Sequence, residues 1–196
     1  MKKMLLPSLI CLLVILVFAV VPTEAEGKIY DDTLRLHILA LSDSDKDQEI
    51  KLIIRDRVLE KYAQELKGAD NIEDALKSTS LLLEDIKFDV DLWLSEFYDD
   101  VSSEVYLTEE WYDTREYENF TLPKGYYRSL KIVIGDGNGK NWWCVMYPPL
   151  CLDIATEDAE RDDGIVDYTK EEISLISGRG YNVKFKLLEF ISDIFP

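Results

Sequence analysis

The chain has 196 residues, of which 47% are hydrophobic and 11% aromatic. That is enough apolar material for one domain with its own core, and it excludes an intrinsically disordered chain. The formal charge of −17 at pH 7 disfavours nucleic acid and anionic lipid as partners, because both repel an acidic surface.

The N-terminus is the first organised stretch. Lys2 and Lys3 precede an unbroken apolar run from Leu9 to Val21, and Thr23-Glu24-Ala25 forms a small-x-small cleavage site. This reads as a secretory signal peptide over 1–25, followed by one domain over 26–196. The apolar run approaches the length of a membrane span, so an uncleaved anchor is the alternative. On either reading the domain is expected outside the cytoplasmic membrane, touching it only through the N-terminal segment.

A short polar lead-in over 28–32 is followed by alternating residues over 34–40. Leu34, Leu36 and Ile38 share one face of the predicted strand; Arg35, His37 and Leu39 share the other. His37 is the single histidine, with no nucleophile or orienting partner evident around it in the sequence. Asp43, Asp45 and Asp47 imitate the start of a calcium loop, but Gln48 and Ile54 occupy the positions that need Gly and Glu. The stretch reads instead as a helix start, with Ser44 and Asp47 spaced as a capping box.

The helix is predicted over 45–66. Ile50, Ile54, Val58, Tyr62 and Leu66 recur every fourth residue, and Gly68 stops it. A second helix, over 72–98, carries Ile72, Leu76, Leu83, Ile86, Val90, Trp93, Leu94 and Phe97. The short connection predicts an antiparallel pair lying on a sheet. Period two then takes over, with strands predicted at 103–107, 111–117 and 127–134. Glycines 135, 137 and 139 predict a hairpin turn that returns 142–146 against 130–134. After an acidic loop over 153–167, 169–176 reads as a short helix. Val183, Leu187, Leu188, Ile191 and Phe195 then have the spacing of a C-terminal helix. The predicted fold class is α+β: a single domain with an antiparallel helix pair on a mostly antiparallel sheet, a C-terminal helix, and a signal segment in front.

The densest stretch is Asn141 to Cys151, Asn-Trp-Trp-Cys-Val-Met-Tyr-Pro-Pro-Leu-Cys. Two adjacent indoles need a core or a partner to cover them. Pro148 and Pro149 forbid helix and make 147–150 extended or turning. With Cys11 inside the signal, Cys144 and Cys151 are the remaining pair in an exported chain. They form one disulfide or two buried thiols. A zinc site would need ligands beyond these and His37. No nucleophile elbow and no His-Glu-x-x-His motif occurs, which leaves no catalytic residue, metal or cofactor to name.

Several blocks together resemble the stage II sporulation protein R family of endospore-forming bacteria. They are Arg35-Leu36-His37-Ile38-Leu39-Ala40 with Ser42-Asp43-Ser44, Asp47-Gln48, Leu122-Pro123 with Gly125 and Tyr127, Ile134-Gly135, Asn141-Trp142-Trp143-Cys144-Val145, and Pro148-Pro149-Leu150-Cys151. Leu41, Glu118-Asn119 and Met146-Tyr147 depart from that pattern. The resemblance implies a non-enzymatic signal, made in the forespore and exported into the space between forespore and mother cell. There it would activate a membrane-embedded aspartic protease that processes a mother-cell sigma-factor precursor. The expected receptor contacts are His37, Ser42, Asp43, Trp142, Trp143, Tyr147, Pro148, Pro149 and Leu150. An exported cell-wall glycan-binding protein or hydrolase is the competing expectation, because exposed Trp beside carboxylates suits sugars.

Overall fold

The computed structural model describes residues 24–63, 66, 68–117 and 120–148, with Pro7, Ile10, Leu12 and Leu13 before them. The expected loop at 153–167 and the helices at 169–176 and 183–195 lie outside the described residues, as do Pro149, Leu150 and Cys151. Among the described residues no helix is long and apolar enough to cross a membrane.

The elements run α1 (Glu24–Asp31), β1 (Leu34–Leu39), α2 (Asp45–Val58, prolonged by a π-helical turn Leu59–Ala63), α3 (Ile72–Leu94) and β2 (Ser103–Tyr112). The short strands β3 (Arg115–Glu116) and β4 (Thr121–Leu122) follow, then β5 (Gly125–Ile134) and β6 (Asn141–Tyr147). The α+β class holds, with a mixed four-stranded sheet in the order β2-β5-β1-β6 and a separate β3-β4 pair. Two of its three pairings are antiparallel, β1–β6 and β2–β5, and one, β1–β5, is parallel.

α2 forms where the sequence places it. Ser44 is the N-cap, its hydroxyl accepting from the Asp47 N–H at 3.2 Å, and Asp45 and Asp47 lie in the first turn. The capping box does not close. The Asp47 carboxylate accepts instead from the Ser42 hydroxyl and the Tyr98 hydroxyl, each at 2.5 Å, and these bonds hold it below the usual carboxylate range. It therefore ties the start of α2 to the end of α3. Ser44→Ala should destabilise the protein by about 1 kcal/mol in urea unfolding, since one end N–H loses its acceptor.

The every-fourth-residue stripe is core: Ile50, Ile54, Val58, Tyr62 and Leu66 are all buried. On α3 the buried line is Ile72, Ala75, Thr79, Ile86, Val90 and Leu94. The helices run antiparallel, as Arg57 pairs with Glu96 while Lys61 and Tyr62 both reach Asp89. Both helices contact β1, and α3 also packs on β2. They cover the face carrying Leu34, Leu36, Ile38, Leu130, Ile132 and Ile134, all buried.

Four expectations need correction. The lead-in to β1 is helical (α1), with Ile29 buried and Tyr30 edge-on to Tyr127 at 5.2 Å. α3 ends at Leu94, with Ser95 as its C-cap. The strand predicted at 103–107 runs unbroken to Tyr112. Last, 135–140 is not a hairpin turn: β6 pairs with β1, which lies between β5 and β6. A strand buried on both faces gains by having partners on both edges, and β1 is buried along its length save at Leu39. The connection must then pass over the end of β1. Gly135 and Gly137 have positive φ, and a Cβ on Gly139 would collide with the Ser42 carbonyl. The glycines serve close passage over another strand.

Candidate functional site

The sheet face opposite the helices is built from polar and aromatic side chains. Cross-strand register puts Arg35 beside Ser129 and Val145, His37 beside Lys131 and Trp143, and Glu110 beside Tyr127. Alternation along each strand then gathers Arg35, His37, Glu110, Tyr112, Ser129, Lys131 and Trp143 on one face.

Glu110 is the hub. Its Oε1 accepts from His37 Nδ1 at 2.7 Å and from the Tyr112 hydroxyl at 2.9 Å, and its Oε2 accepts from Lys131 Nζ at 2.8 Å. Burial works to raise its pKa, but the bonds from Lys131 and His37 outweigh that and hold it below the usual glutamate range. His37 is 6% exposed; its Nε2 lies 2.8 Å from Asn141 Oδ1, so both ring nitrogens are engaged. The orienting partner that local sequence could not show is therefore Glu110, 73 residues away. The imidazole ties together β1, β2 and β6.

Arg35 is wholly buried. Its guanidinium lies 3.9 Å from the Tyr112 ring centre and 5.0 Å from that of Tyr127, and Nη2 donates to the Tyr117 hydroxyl at 2.9 Å. Among the described residues Nε and Nη1 have no hydrogen-bond partner. The aromatic faces stand in for a carboxylate as the charge's support. Burial pushes the Tyr112 and Tyr117 hydroxyls upward in pKa, so both remain neutral, Tyr112 donating to Glu110 and Tyr117 accepting from Arg35.

A cavity of about 150 Å³ opens at the rim of this network, lined by His37, Glu110, Trp111, Tyr112, Asp113, Arg115 and Trp143. The Trp143 ring is tilted by 32° against that of His37, their centres 5.6 Å apart, and the Arg115 guanidinium lies 4.2 Å from the indole's centre. The two adjacent indoles point to opposite faces. Trp142 is on the helix side under Arg55, 4.9 Å from its guanidinium. Each is partly buried.

Of the expected contact residues, the structure brings His37 and Trp143 together. Ser42 and Asp43 stand apart, at the start of α2, with Asp43 exposed. Tyr147 and Pro148, joined by a cis peptide bond, are buried. Cys144 is buried and disulfide-bonded; Cys151, its expected partner, lies outside the described residues. Sequence reading missed Glu110, Tyr112 and Lys131. The signal was the alternation Tyr106, Thr108, Glu110, Tyr112, which Glu109 obscures by breaking the apolar period on the other face. Among the described residues no group of acidic, His and Cys side chains could hold a metal ion.

The sequence profile of the stage II sporulation protein R family (spore_II_R) matches residues 30–157, which takes in β1 to β6 and the whole polar face. The chain belongs to this family. It is 32% identical over 184 residues to stage II sporulation protein R of Bacillus subtilis strain 168, covering 84% of this chain and 82% of that protein. No solved structure matches the chain. Within this member of the family, the residues matched contribute the sheet and helix pair and also the Trp143 corner, so the matched region is the fold together with its candidate site.

Proposed function

We propose that this protein is the exported signal of a sporulation checkpoint. It is made in the forespore and crosses the cytoplasmic membrane into the space between forespore and mother cell. There it activates a membrane-embedded aspartic protease, which removes the pro-segment from an early mother-cell sigma factor, pro-sigma-E. Membership of the stage II sporulation protein R family is the observation that carries this reading. On this reading the protein is a ligand rather than an enzyme. The receptor contact is the corner formed by Trp143 and Arg115 over His37, and Ser42 and Asp43, at the start of α2, are a separate candidate contact.

One observation favours a second reading. Glu110 and Asp113 line the same cavity as Trp111 and Trp143, the association expected of a glycan site. Yet Glu110 is bonded to His37, Lys131 and Tyr112 and held ionised, which unsuits it as the proton donor of a glycosidase. Signalling is therefore preferred.

Reconstitution tests the proposal. The cognate protease and the sigma-factor precursor are co-expressed in a non-sporulating host, with and without this chain carrying its N-terminal segment, and precursor size is followed on a gel. Processing that requires both protease and this chain is the expected result, with Trp143→Ala reducing it several-fold at unchanged export. Processing that proceeds equally without this chain, or that fails although all three proteins are present and this one is exported, overturns it. Release of sugar from purified cell wall would establish the second reading in its place.

A further inference from the structure

β2 is the outermost strand at one edge of the sheet, whose order is β2-β5-β1-β6. It runs ten residues, and its pairing with β5 is unbroken from Ser103 opposite Ile134 to Tyr112 opposite Gly125. Among the described residues no strand pairs with its outer side. An outer strand presents a row of backbone N–H and C=O groups with which another chain can pair, and proteins ordinarily blunt it with a bulge, a proline or short length. β6, at the other edge, has seven residues, sits against β1 with a register shift between Leu34 and Arg35, and runs into Pro148. β2 has neither a bulge nor a proline.

Its side chains are also unusual for a solvated edge. Tyr106 and Trp111 are exposed on β2, and so is Tyr126 on the adjoining β5. Alternation puts Tyr106 on the face of Glu110 and Trp111 on the other, where the Tyr126 ring stands edge-on to it at 5.2 Å. An added strand would find an aromatic surface on each face. Glu104 and Glu109 are exposed, and among the described residues neither has an ion pair. Arg128, opposite Glu109 in the sheet, is engaged by the Asp31 carbonyl and Glu73 instead. The two carboxylates lie on opposite faces, so the edge is acidic on both sides.

These features define the occupant. A backbone edge takes an extended segment rather than a helix. Carboxylates on both faces favour cationic side chains opposite them and disfavour like charge. A second copy would bring the same carboxylates and a further charge of −17, so the partner is a different chain. The Tyr112 end of β2 lies at the Trp143 corner, because Glu110 and Tyr112 line its cavity. The free edge is thus continuous with the receptor contact proposed above.

We propose that β2 receives an extended basic segment of the membrane-embedded protease as an added strand. Its cationic side chains lie opposite Glu104 and Glu109, and an apolar one covers Trp111 and Tyr126. This rests on the signalling reading for the identity of the partner. It adds the mode of docking: main-chain pairing supplies affinity, and the carboxylates and aromatic rings supply selectivity.

The test is amide hydrogen exchange, followed by mass spectrometry, on the full chain alone and with the cognate protease in detergent micelles. Complex formation is scored separately by co-purification. The expected result is a complex in which exchange over 103–112 slows several-fold while that of β6 is unchanged. Glu104→Lys combined with Glu109→Lys should weaken co-purification several-fold with far-ultraviolet circular dichroism unchanged. Glu84→Lys with Asp85→Lys, the same change of charge on the exposed side of α3, should leave it unaltered. A complex in which 103–112 exchanges as in the free chain overturns the proposal and leaves the signalling reading standing. Absence of any complex overturns both. Protection of 103–112 that grows with the concentration of this chain alone would make the occupant a second copy, and overturns the proposal too.

Discussion

Glu110→Ala should destabilise the protein by about 3 kcal/mol in chemical unfolding, because it takes the acceptor from three donors at once. His37 is 6% exposed and Lys131 mostly covered, and both direct their donors at this carboxylate. Removing it leaves His37 Nδ1, the Tyr112 hydroxyl and Lys131 Nζ without this acceptor. Glu110→Gln is the milder and more diagnostic change. It keeps the volume and one acceptor oxygen but removes the charge. The native carboxyl titrates below its ordinary range, held there by Lys131 and His37 against the opposing effect of burial. A depressed folded-state value means that Glu110 contributes its full stabilisation above the unfolded-state pKa, and that this contribution disappears as pH falls through the folded-state value. The native protein should therefore lose stability as pH falls below the ordinary glutamate value of 4.5, and Glu110→Gln should show a shallower loss over the same acidic window. Unfolding midpoints measured across it would check this. Parallel profiles for the two proteins would show that Glu110 gains nothing from its partners.

Gly139→Val should cost about 3 kcal/mol or prevent folding, more than a loop position ordinarily carries. A Cβ at Gly139 would overlap the Ser42 carbonyl oxygen and crowd the Ala40 side chain at 2.8 Å, while the Gly139 N–H donates to the Ala40 carbonyl at 2.9 Å. The obstacle is backbone and cannot swing aside. In a simple β5–β6 hairpin the same position would be an exposed turn, and valine there would cost a few tenths of a kcal/mol. The substitution thus separates the two topologies by expression yield and thermal midpoint. Asn138→Ala, one residue earlier at an exposed position, is the control and should be near neutral.

The local sequence determined what local physics controls. The every-fourth-residue stripe of α2, the Ser44 cap, the alternation of β1 and the apolar half of β5 each carry their own period, and each formed as read. The Trp-Trp-Cys and Pro-Pro blocks carried the family, because their residue types and spacing are unusual enough to mark it. β3 fell inside the strand expected at 111–117, whereas β4 escaped, since a two-residue strand holds no period to detect. The polar face was only half legible. Arg35 and His37 were assigned to one side of β1, but nothing near them indicated Glu110 or Tyr117, 73 and 82 residues away. A lone histidine beside an arginine has no local meaning until a register brings strands together.

The tertiary structure alone decided strand order. Nothing in the glycine-rich connection distinguishes a turn from a passage over another strand, since both need small residues and positive φ. The outcome depends on where β1 gains most by being paired, which is a property of the whole sheet. Insertion of β1 between β5 and β6 sets His37 between Lys131 and Trp143, and so creates the candidate site. Period specifies which side of a strand faces the core, whereas neighbour identity is fixed only when every apolar face and every backbone edge must be satisfied together.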